Sequence, residues 1–314
     1  MKVKFTALKK IAITGTCIAA TTAAVFAAAC TDGGGKIDTP EKPEVTYPQY
    51  LTAIEKTEIY TETPVYIMNE ETDRRVYCIE TVPNELDDGE KIPLIIYVHG
   101  GNGDATSLIA LPENLAESGF AGITFECCGA NKFSPKSDGK EIYSSHYTSR
   151  ISDLETVIEH AKTLDYVDTD KIYIYGQSYG GLVCMMDAPY HNDDIRGMFL
   201  ESTGLTEDGS MVTNTGNGSV EKYLPPEDYK SFMNGFTKDV LIFCSQEDET
   251  GAHENGAYTA TVYESRDEGE TKFYSYAGGG HSFSLFEQAA KDDVYRIIAA
   301  YINTGEILEQ GENT

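Results

Sequence analysis

Short apolar runs, each bounded by polar or turn-forming residues, recur along most of this chain. Runs of about four to eight residues rich in β-branched and aromatic side chains predict strands. A run that is apolar throughout is typical of a strand buried on both faces of a sheet. The sequence therefore predicts strands at Leu94–Val98, Phe120–Cys127, Lys171–Tyr175, Arg196–Glu201, Val240–Ser245 and Thr271–Tyr276.

Helical spacing is found between and after these strands. Residues Ser152–Leu164 carry apolar side chains three and four positions apart, and we expect a closing helix from about Leu285 to Tyr301. Pro64–Glu70 and Arg74–Val82 are typical of an antiparallel hairpin. Strands alternating with helices predict a parallel sheet with right-handed crossovers. We therefore predict an α/β fold: a mostly parallel sheet of about eight strands, with helices on both faces and the hairpin at one edge.

One segment interrupts this alternation. Residues 203–236 are rich in Gly, Asn, Thr and Pro. A loop of this length inside a compact domain is usually a lid or an insertion. We predict a small cap over the mouth of a site.

The N-terminus has the composition of a targeting segment. Four lysines precede an uncharged, apolar stretch that ends at Ala29, and Cys30 follows. The sequence Ala27–Cys30 resembles a bacterial lipobox, which implies a signal peptide over 1–29 and lipidation of Cys30. An uncleaved membrane anchor is the alternative, because the stretch approaches the ~20 residues that span a bilayer. We expect residues 30–50 to be a flexible tether and 51–310 to be the folded domain, held by lipid at the outer face of a cell membrane.

Charge and cysteine content narrow the range of partners. The formal net charge of −27 disfavours binding to nucleic acid or to anionic lipid head groups. Of the seven cysteines, no pair has convincing zinc-ligand spacing, and Cys78, Cys127, Cys184 and Cys244 lie in or beside apolar runs. We expect these four to be buried thiols and expect no essential disulfide.

The strongest chemical signal is Gly176-Gln177-Ser178-Tyr179-Gly180, which follows a predicted strand and precedes a helix-forming run. G-x-S-x-G between a strand and a helix is a nucleophile elbow, in which a strained turn exposes the serine hydroxyl. The flanking glycines allow strand and helix to approach closely. The sequence therefore predicts Ser178 as a nucleophile.

Three other loops follow predicted strands and carry candidate partners for Ser178. His99-Gly100-Gly101 follows the first buried strand, Asp248 follows Val240–Ser245, and Gly278-Gly279-Gly280-His281 follows the last strand. Together with the elbow, these loops make residues from about Pro64 to Asn303 resemble the α/β-hydrolase family. The chain order Ser, Asp, His is the one expected of that fold.

The resemblance implies a role for each residue. Ser178 would be the nucleophile, His281 the general base and Asp248 the acid that orients it, with Glu201 as the alternative acid. The backbone N–H groups of Gly101 and Tyr179 would form the oxyanion hole. We interpret His99 as a loop-stabilising residue, and expect His146, His160, His191 and His253 to be surface or capping residues. The mechanism requires no metal and no cofactor.

Within the family, the layout resembles bacterial cinnamoyl or feruloyl esterases. That resemblance implies an extracellular enzyme that cleaves carboxylic esters, such as feruloyl, cinnamoyl or acetyl esters of plant polysaccharide. Ser178-Tyr179-Gly180-Gly181 also resembles prolyl-oligopeptidase-type serine peptidases, although only the tether and hairpin precede the sheet in this sequence. A third hypothesis is a binding protein that uses a hydrolase scaffold without turnover.

Overall fold

Ten strands form one sheet in the computed structural model, which describes residues 49–128, 136–138, 147–209 and 228–312. Two of these strands have only two residues. The strands are β1 (Gln49–Tyr50), β2 (Glu55–Lys56), β3 (Tyr60–Asn69), β4 (Arg74–Pro83), β5 (Ile92–Val98), β6 (Ala121–Glu126), β7 (Val167–Gln177), β8 (Ile195–Glu201), β9 (Asp239–Ser245) and β10 (Thr271–Tyr276).

The eight long strands lie in the order β3-β4-β6-β5-β7-β8-β9-β10. β4 is antiparallel to both β3 and β6, and the pairs from β6 through β10 are parallel. The predicted mostly parallel sheet of about eight strands, with an antiparallel hairpin at one edge, is therefore confirmed. Because β5 to β10 run in one direction, the loops that follow them meet at the carboxyl edge of the sheet, where ligands bind in open α/β folds.

Six α-helices are found among the described residues, three of them unforeseen in the sequence. They are α1 (Ala110–Leu115), α2 (Tyr147–Ala161), α3 (Tyr179–Asp187), α4 (Tyr229–Met233), α5 (Ala252–Glu264) and α6 (Gln288–Thr304). Short 3₁₀ turns occur at Ala116–Ser118, Ala188–His191 and Phe283–Leu285. α2 begins five residues before the predicted start, and the predicted closing helix begins three residues late because Phe283–Leu285 forms a separate turn. Helix α1 and helices α4 and α5 were not predicted.

The two faces of the sheet have different side chains. Aliphatic residues such as Ile96, Ile174 and Ile242 point to the face covered by α2, α3 and α5. Aromatic residues such as Tyr97 and Tyr175 point to the other face, where α1 and α6 pack. Since neighbouring side chains along a strand point to opposite faces, the alternation Ile172-Tyr173-Ile174-Tyr175 places two residues in each layer. Both faces are covered, as predicted.

Two expectations about histidines are wrong. His160 is buried, and its Nε2 lies 2.7 Å from Glu80 Oε1, so it joins α2 to the hairpin rather than facing solvent. His191 is also buried, with Nδ1 3.2 Å from Asp194 Oδ2. A single sequence does not reveal the contact of His160, because Glu80 is 80 positions away from it.

Several other predictions fall partly or wholly outside the described residues. The signal peptide at 1–29, Cys30, His146 and most of the tether are not described, nor are residues 210–227 of the predicted cap. The described ends of that segment pack inward: Met233 and Phe236 are buried in the aliphatic layer. Within the described residues, no helix is both long and apolar enough to cross a membrane. The five described cysteines, including the four expected to be buried, are buried thiols.

Candidate active site

Ser178 lies between β7 and α3 with φ 52° and ψ −122°. A non-glycine residue at positive φ is strained, and such strain clusters at functional sites. The turn forms because its neighbours have no side chains: a Cβ on Gly176 would come 2.6 Å from the Gly181 Cα, and one on Gly180 would overlap the Val98 carbonyl oxygen. The backbone therefore projects the Ser178 side chain beyond the end of the strand.

Hydrogen bonds join Ser178 to His281 and His281 to Asp248. Ser178 Oγ lies 2.7 Å from His281 Nε2, and His281 Nδ1 lies 2.8 Å from Asp248 Oδ2. The Asp248 side chain is fully buried, whereas the imidazole is 37% exposed. A substrate can thus reach the serine and the imidazole, while the carboxylate is shielded from water. The structure brings together all three residues that the sequence motifs singled out.

Thr250 completes this network and was missed in the sequence. Its hydroxyl donates to Asp248 Oδ1 at 2.6 Å, and its backbone N–H donates to the same oxygen at 2.9 Å. Since the hydroxyl proton is used on Asp248, the Thr250 oxygen, 2.8 Å from His281 Nδ1, is left to accept from the imidazole. One donor on Nδ1 is thereby shared between two acceptors, which leaves Nε2 free to accept a proton from Ser178.

Glu201, the alternative acid, occupies a different environment at the end of β8. It is fully buried, and the Tyr175 hydroxyl donates to its Oε2 at 3.4 Å. Burial raises the pKa of Glu201 to about 8, so the side chain is mainly neutral at pH 7. Asp248, not Glu201, makes the hydrogen bond to the imidazole.

The loop after β5 lies against the elbow. Gly100 N–H donates to Gln177 Oε1 at 3.0 Å, and a Cβ on Gly100 would come 3.2 Å from the Ser178 Cβ. Gln177 Nε2 also donates to the His281 carbonyl at 3.1 Å. Gln177, the variable residue before the serine, therefore ties the loop at Gly100 to the loop that carries His281, which the motif alone did not indicate.

The two predicted oxyanion donors come from the loop after β5 and from the start of α3. Gly101 follows Gly100 directly, and no hydrogen bond within the described residues uses its N–H. Tyr179 is the first residue of α3, and the first N–H groups of a helix have no acceptor within the helix. The contact of Gly100 with the Ser178 Cβ brings the loop of Gly101 to the serine, and the contact of Gly180 with Val98 brings the start of α3 to the end of β5.

His99 and Arg150 stabilise the loop after β5 through hydrogen bonds. Cys127 N–H donates to His99 Nε2 at 3.2 Å, so the proton is on Nδ1, which lies 2.7 Å from the Gly100 carbonyl. Burial, together with the nearby Arg150 charge, lowers the pKa of His99 to about 3, so it stays neutral and stabilises the loop as expected. Arg150 donates to the Gly100 carbonyl at 3.2 Å, and its guanidinium lies 4.7 Å from the centre of the Tyr179 ring.

The loops after β9 and β10 are also joined. Ser245, the last residue of β9, donates from its hydroxyl to the Gly278 carbonyl and accepts from Glu247 N–H at 3.1 Å. Gly278 and Gly279 both have positive φ, which residues with a Cβ rarely adopt. Ser245 therefore holds the acid loop against the glycine turn that presents His281.

A cavity of about 610 Å³ is lined by Gln177 and Ser282, the chain neighbours of Ser178 and His281. Gly100 and Gly101 also line it, and α1, α6 and the turn Phe283–Leu285 form its walls. Leu108, Leu111 and Phe283 supply apolar surface, and Lys291 is the one charged residue among the described lining residues. This volume is in the range of small-molecule sites.

No metal centre is formed by the triad residues. Within the described residues, close groups of three or more potential ligands occur at Glu159–His191–Asp194 and at Glu55–Glu62–Glu113, and neither includes a residue of the cavity. The chemistry available beside Ser178 is that of an activated hydroxyl, an imidazole and backbone N–H groups.

Comparison with known proteins gives the same fold. The profile of the alpha/beta hydrolase fold family matches residues 93–240. The quorum-quenching protein AidA of Acinetobacter baumannii is 28% identical over 90 residues, an alignment that spans 28% of this chain and 28% of that protein.

Solved structures resemble the chain over a longer range. Est1E from Butyrivibrio proteoclasticus with bound ferulic acid is similar at a TM-score of 0.58 and 23% identity, covering 76% of this chain and 97% of that one. Acetyl xylan esterase 1 from Thermoanaerobacterium sp. JW/SL YS485 is similar at a TM-score of 0.60 and 13% identity, covering 81% and 88%. The profile match and the strand order together show that this chain has the alpha/beta hydrolase fold.

Proposed function

We propose that this protein is a serine hydrolase that cleaves carboxylic esters through an acyl-enzyme. The observation that carries the proposal is the hydrogen-bonded chain from Ser178 through His281 to Asp248, at 2.7 and 2.8 Å, with a cavity lined by the neighbouring residues Gln177 and Ser282. A serine hydroxyl is a weak nucleophile on its own and needs an adjacent base. His281 is in position to act as that base.

In the first half-reaction, Ser178 Oγ attacks the ester carbonyl carbon while His281 Nε2 takes the hydroxyl proton. Asp248 orients the imidazole and stabilises the imidazolium that forms. The carbonyl oxygen becomes an oxyanion, which Gly101 and Tyr179 N–H would bind. One such donor contributes about 3 kcal/mol to the transition state. The carbon–oxygen bond to the alcohol then breaks, and His281 returns the proton to the departing oxygen.

In the second half-reaction, water replaces the alcohol. His281 takes a proton from the water as its oxygen attacks the acyl carbon, and the bond to Ser178 breaks. The serine oxygen recovers its proton from His281, and the carboxylic acid is released. Every proton lost by one group in these steps is gained by another, and no atom changes its oxidation state.

The proposed substrates are feruloyl, cinnamoyl or acetyl esters of plant polysaccharide. The likeness to an esterase with bound ferulic acid and to an acetyl xylan esterase supports this class. The cavity supports it as well, because apolar Leu108, Leu111 and Phe283 would contact an aryl ring, while Lys291 and amide groups face a polar portion. We further propose that lipid on Cys30 holds the enzyme at the extracytoplasmic face of a cell membrane, on the basis of the N-terminal sequence pattern.

The central test is covalent labelling of Ser178. A fluorophosphonate probe should label the wild-type protein and not Ser178→Ala, and only the wild type should hydrolyse p-nitrophenyl acetate. Ser282→Ala is the matched control: Ser282 also lines the cavity and should be dispensable for labelling. Failure of the folded wild type to be labelled would instead support a non-catalytic binding protein.

The ester class is tested with paired substrates. Methyl ferulate should be cleaved with a higher kcat/KM than an acyl-prolyl anilide, because the proposed site fits an aryl ester. Preferential cleavage of the anilide would replace the esterase proposal with the prolyl-oligopeptidase-like one.

A further inference from the structure

Three carboxylates meet where β2, β3 and α1 come together. Glu55, Glu62 and Glu113 each present an oxygen, and these oxygens all lie within 4.8 Å of one another. None of the three is among the residues that line the catalytic cavity. The cluster is thus a separate feature that the proposed hydrolysis does not use.

Strand register creates half of this cluster. Glu55 and Glu62 are direct cross-strand partners in the antiparallel pair of β2 and β3. Like charges directly opposite one another destabilise a sheet. Helix α1 then adds Glu113, whose carboxylate also interacts with the Tyr60 hydroxyl. Without a compensating charge, this arrangement is unfavourable.

Burial of Glu62 makes the need for compensation greater. Glu62 is only 3% exposed, and its Oε1 atom has no hydrogen-bond partner. The Glu62 carboxyl interacts with the Thr81 hydroxyl of β4 and with the Glu113 carboxyl, but Glu62 Oε1 and Thr81 Oγ1 both lack a partner in full hydrogen-bond geometry. A buried carboxylate oxygen without a partner is costly, and it is normally paired or bound to a metal.

In the other acidic cluster of the described residues, a lysine compensates the negative charges. Around Glu159 and Asp194, the Lys162 ammonium lies 3.0 Å from a Glu159 oxygen and 2.9 Å from an Asp194 oxygen. That cluster is neutralised from within the chain. The groups that act most strongly on Glu62 are instead the carboxylates of Glu113 and Glu55, with no lysine or arginine among them.

We propose that Glu55, Glu62 and Glu113 bind a calcium ion. Ca²⁺ takes oxygen ligands at about 2.3–2.6 Å, so oxygens on opposite sides of the ion stand about 5 Å apart, which the cluster satisfies. Its flexible coordination accepts three carboxylates from unrelated elements, with water completing the shell. Zinc would prefer nitrogen or sulfur ligands, and magnesium demands near-ideal octahedral geometry.

The position of the site gives the ion a structural role. Glu113 belongs to α1, and Leu111 and Asn114 of the same helix line the catalytic cavity. A cation held jointly by β2, β3 and α1 would fasten one wall of the cavity to the edge of the sheet. Calcium would then stabilise the folded protein by mass action without taking part in the reaction.

A proton shared among these carboxyl groups is the alternative way to relieve their repulsion. Burial, together with the carboxylates of Glu113 and Glu55, raises the pKa of Glu62 to about 7. If protons alone relieve the repulsion, lowering the pH will stabilise the cluster and calcium will have no effect. The two solutions therefore differ in a direct measurement.

The experiment is calorimetric titration of CaCl₂ into the EDTA-treated, re-dialysed full chain at pH 7.5, with melting temperatures measured in parallel at constant ionic strength. We expect one saturable site with a dissociation constant of about 1 mM or tighter, and a melting temperature raised by about 3 °C or more at saturation. MgCl₂ should bind at least tenfold more weakly.

Two variants locate the site. Glu62→Gln should weaken calcium binding at least tenfold, whereas Glu117→Gln, which removes the same charge from an exposed position just after α1, should bind as the wild type does. Glu62→Gln should stay folded, because the change removes repulsion. The proposal fails if folded wild type shows no saturable calcium binding, if Glu62→Gln binds equally well, or if only a lower pH stabilises the chain.

Discussion

At the scale of single residues, Glu201 at the end of β8 and Asp248 just after β9 differ in their hydrogen-bond partners and surroundings. Asp248 receives two hydrogen bonds from Thr250 and one from His281. Glu201 is buried beside Tyr175, and burial raises its pKa to about 8. One carboxyl is therefore suited to pair with an imidazolium, while the other behaves as a neutral hydrogen-bonding group.

This contrast predicts that Glu201→Gln keeps near-wild-type activity at pH 7, because glutamine resembles the protonated acid in shape. Asp248→Asn should instead lower kcat on the order of 10³- to 10⁴-fold, as expected when the imidazole loses the acid that orients it. Initial rates on p-nitrophenyl acetate compare the two. A large loss in Glu201→Gln with little loss in Asp248→Asn would reverse the assignment.

The same variant carries a pH signature. The pKa of Glu201 in the folded state, about 8, lies above its ordinary value of 4.5, so between these pH values the folded state binds a proton that the unfolded state does not. The stabilising contribution is complete below about pH 4.5 and is lost as the pH rises toward 8. Relative to wild type, Glu201→Gln should therefore gain unfolding free energy from pH 5 to 8, by at most about 1.4 kcal/mol per pH unit. Urea unfolding at each pH measures this, and a flat difference would contradict it.

Sequence motifs located Ser178, Asp248 and His281 because each follows a strand at a fixed place in the order of elements. Thr250 and Arg150 were not found in the same way. Thr250 is distinguished only by its hydroxyl reaching back two residues to Asp248, and Arg150 precedes the predicted helix by two positions. Contacts of this kind depend on the three-dimensional path of the loops, which spacing along one sequence does not encode.

At the scale of elements, the elbow depends on close backbone contact between α3 and β5. A Cβ on Gly180 would overlap the Val98 carbonyl oxygen and come 2.6 Å from the His99 carbonyl oxygen. Both oxygens belong to backbone that packs beneath the loop of Gly100. The glycine therefore matters through the space it leaves between two elements.

We predict that Gly180→Ala destabilises the protein by several kcal/mol, on the order of the overpacking of a rigid core, and abolishes probe labelling at Ser178. Gly119→Ala is a suitable comparison, since Gly119 has φ 82° but open space around it and should cost only about 1 kcal/mol. Urea unfolding and fluorophosphonate labelling check both variants. Equal stability of the two would contradict the role assigned to the close contact.

Strands were predictable from the sequence because most are buried on both faces and appear as continuous apolar runs. Helix α5 was not, because polar residues and Gly256 interrupt its apolar stripe. Its packing explains that composition: a Cβ on Gly256 would come 2.7 Å from Cys244 Sγ, so the helix lies close to β9. Tertiary contact, rather than intrinsic helical preference, stabilises such an element.

At the scale of the whole molecule, the chain has a formal net charge of −27. The one charged residue among the described residues that line the cavity is the cation Lys291. An acidic surface keeps the protein soluble and repels anionic head groups. Attachment to a membrane would then depend on lipid at Cys30 rather than on charge. Two lipid chains are needed for stable anchoring, and a surface of this sign adds nothing to it.

We therefore predict that the full chain expressed in a bacterial host partitions into the detergent phase of Triton X-114, and that Cys30→Ala moves it to the aqueous phase with unchanged ester hydrolysis. Cys78→Ala serves as the matched cysteine control, since Cys78 is buried in the sheet. Retention of Cys30→Ala in the detergent phase would favour the uncleaved membrane anchor instead.

The positive φ of Ser178 has a consequence for how long the protein survives. The backbone there is held in a region that glycine occupies at ease and other residues enter only under strain, at about 1–3 kcal/mol. The active protein bears this backbone strain even when no substrate is bound. A Ser178→Gly variant would consequently be more stable than the wild type but inactive, so stability and turnover make opposite demands on the residue at this main-chain torsion.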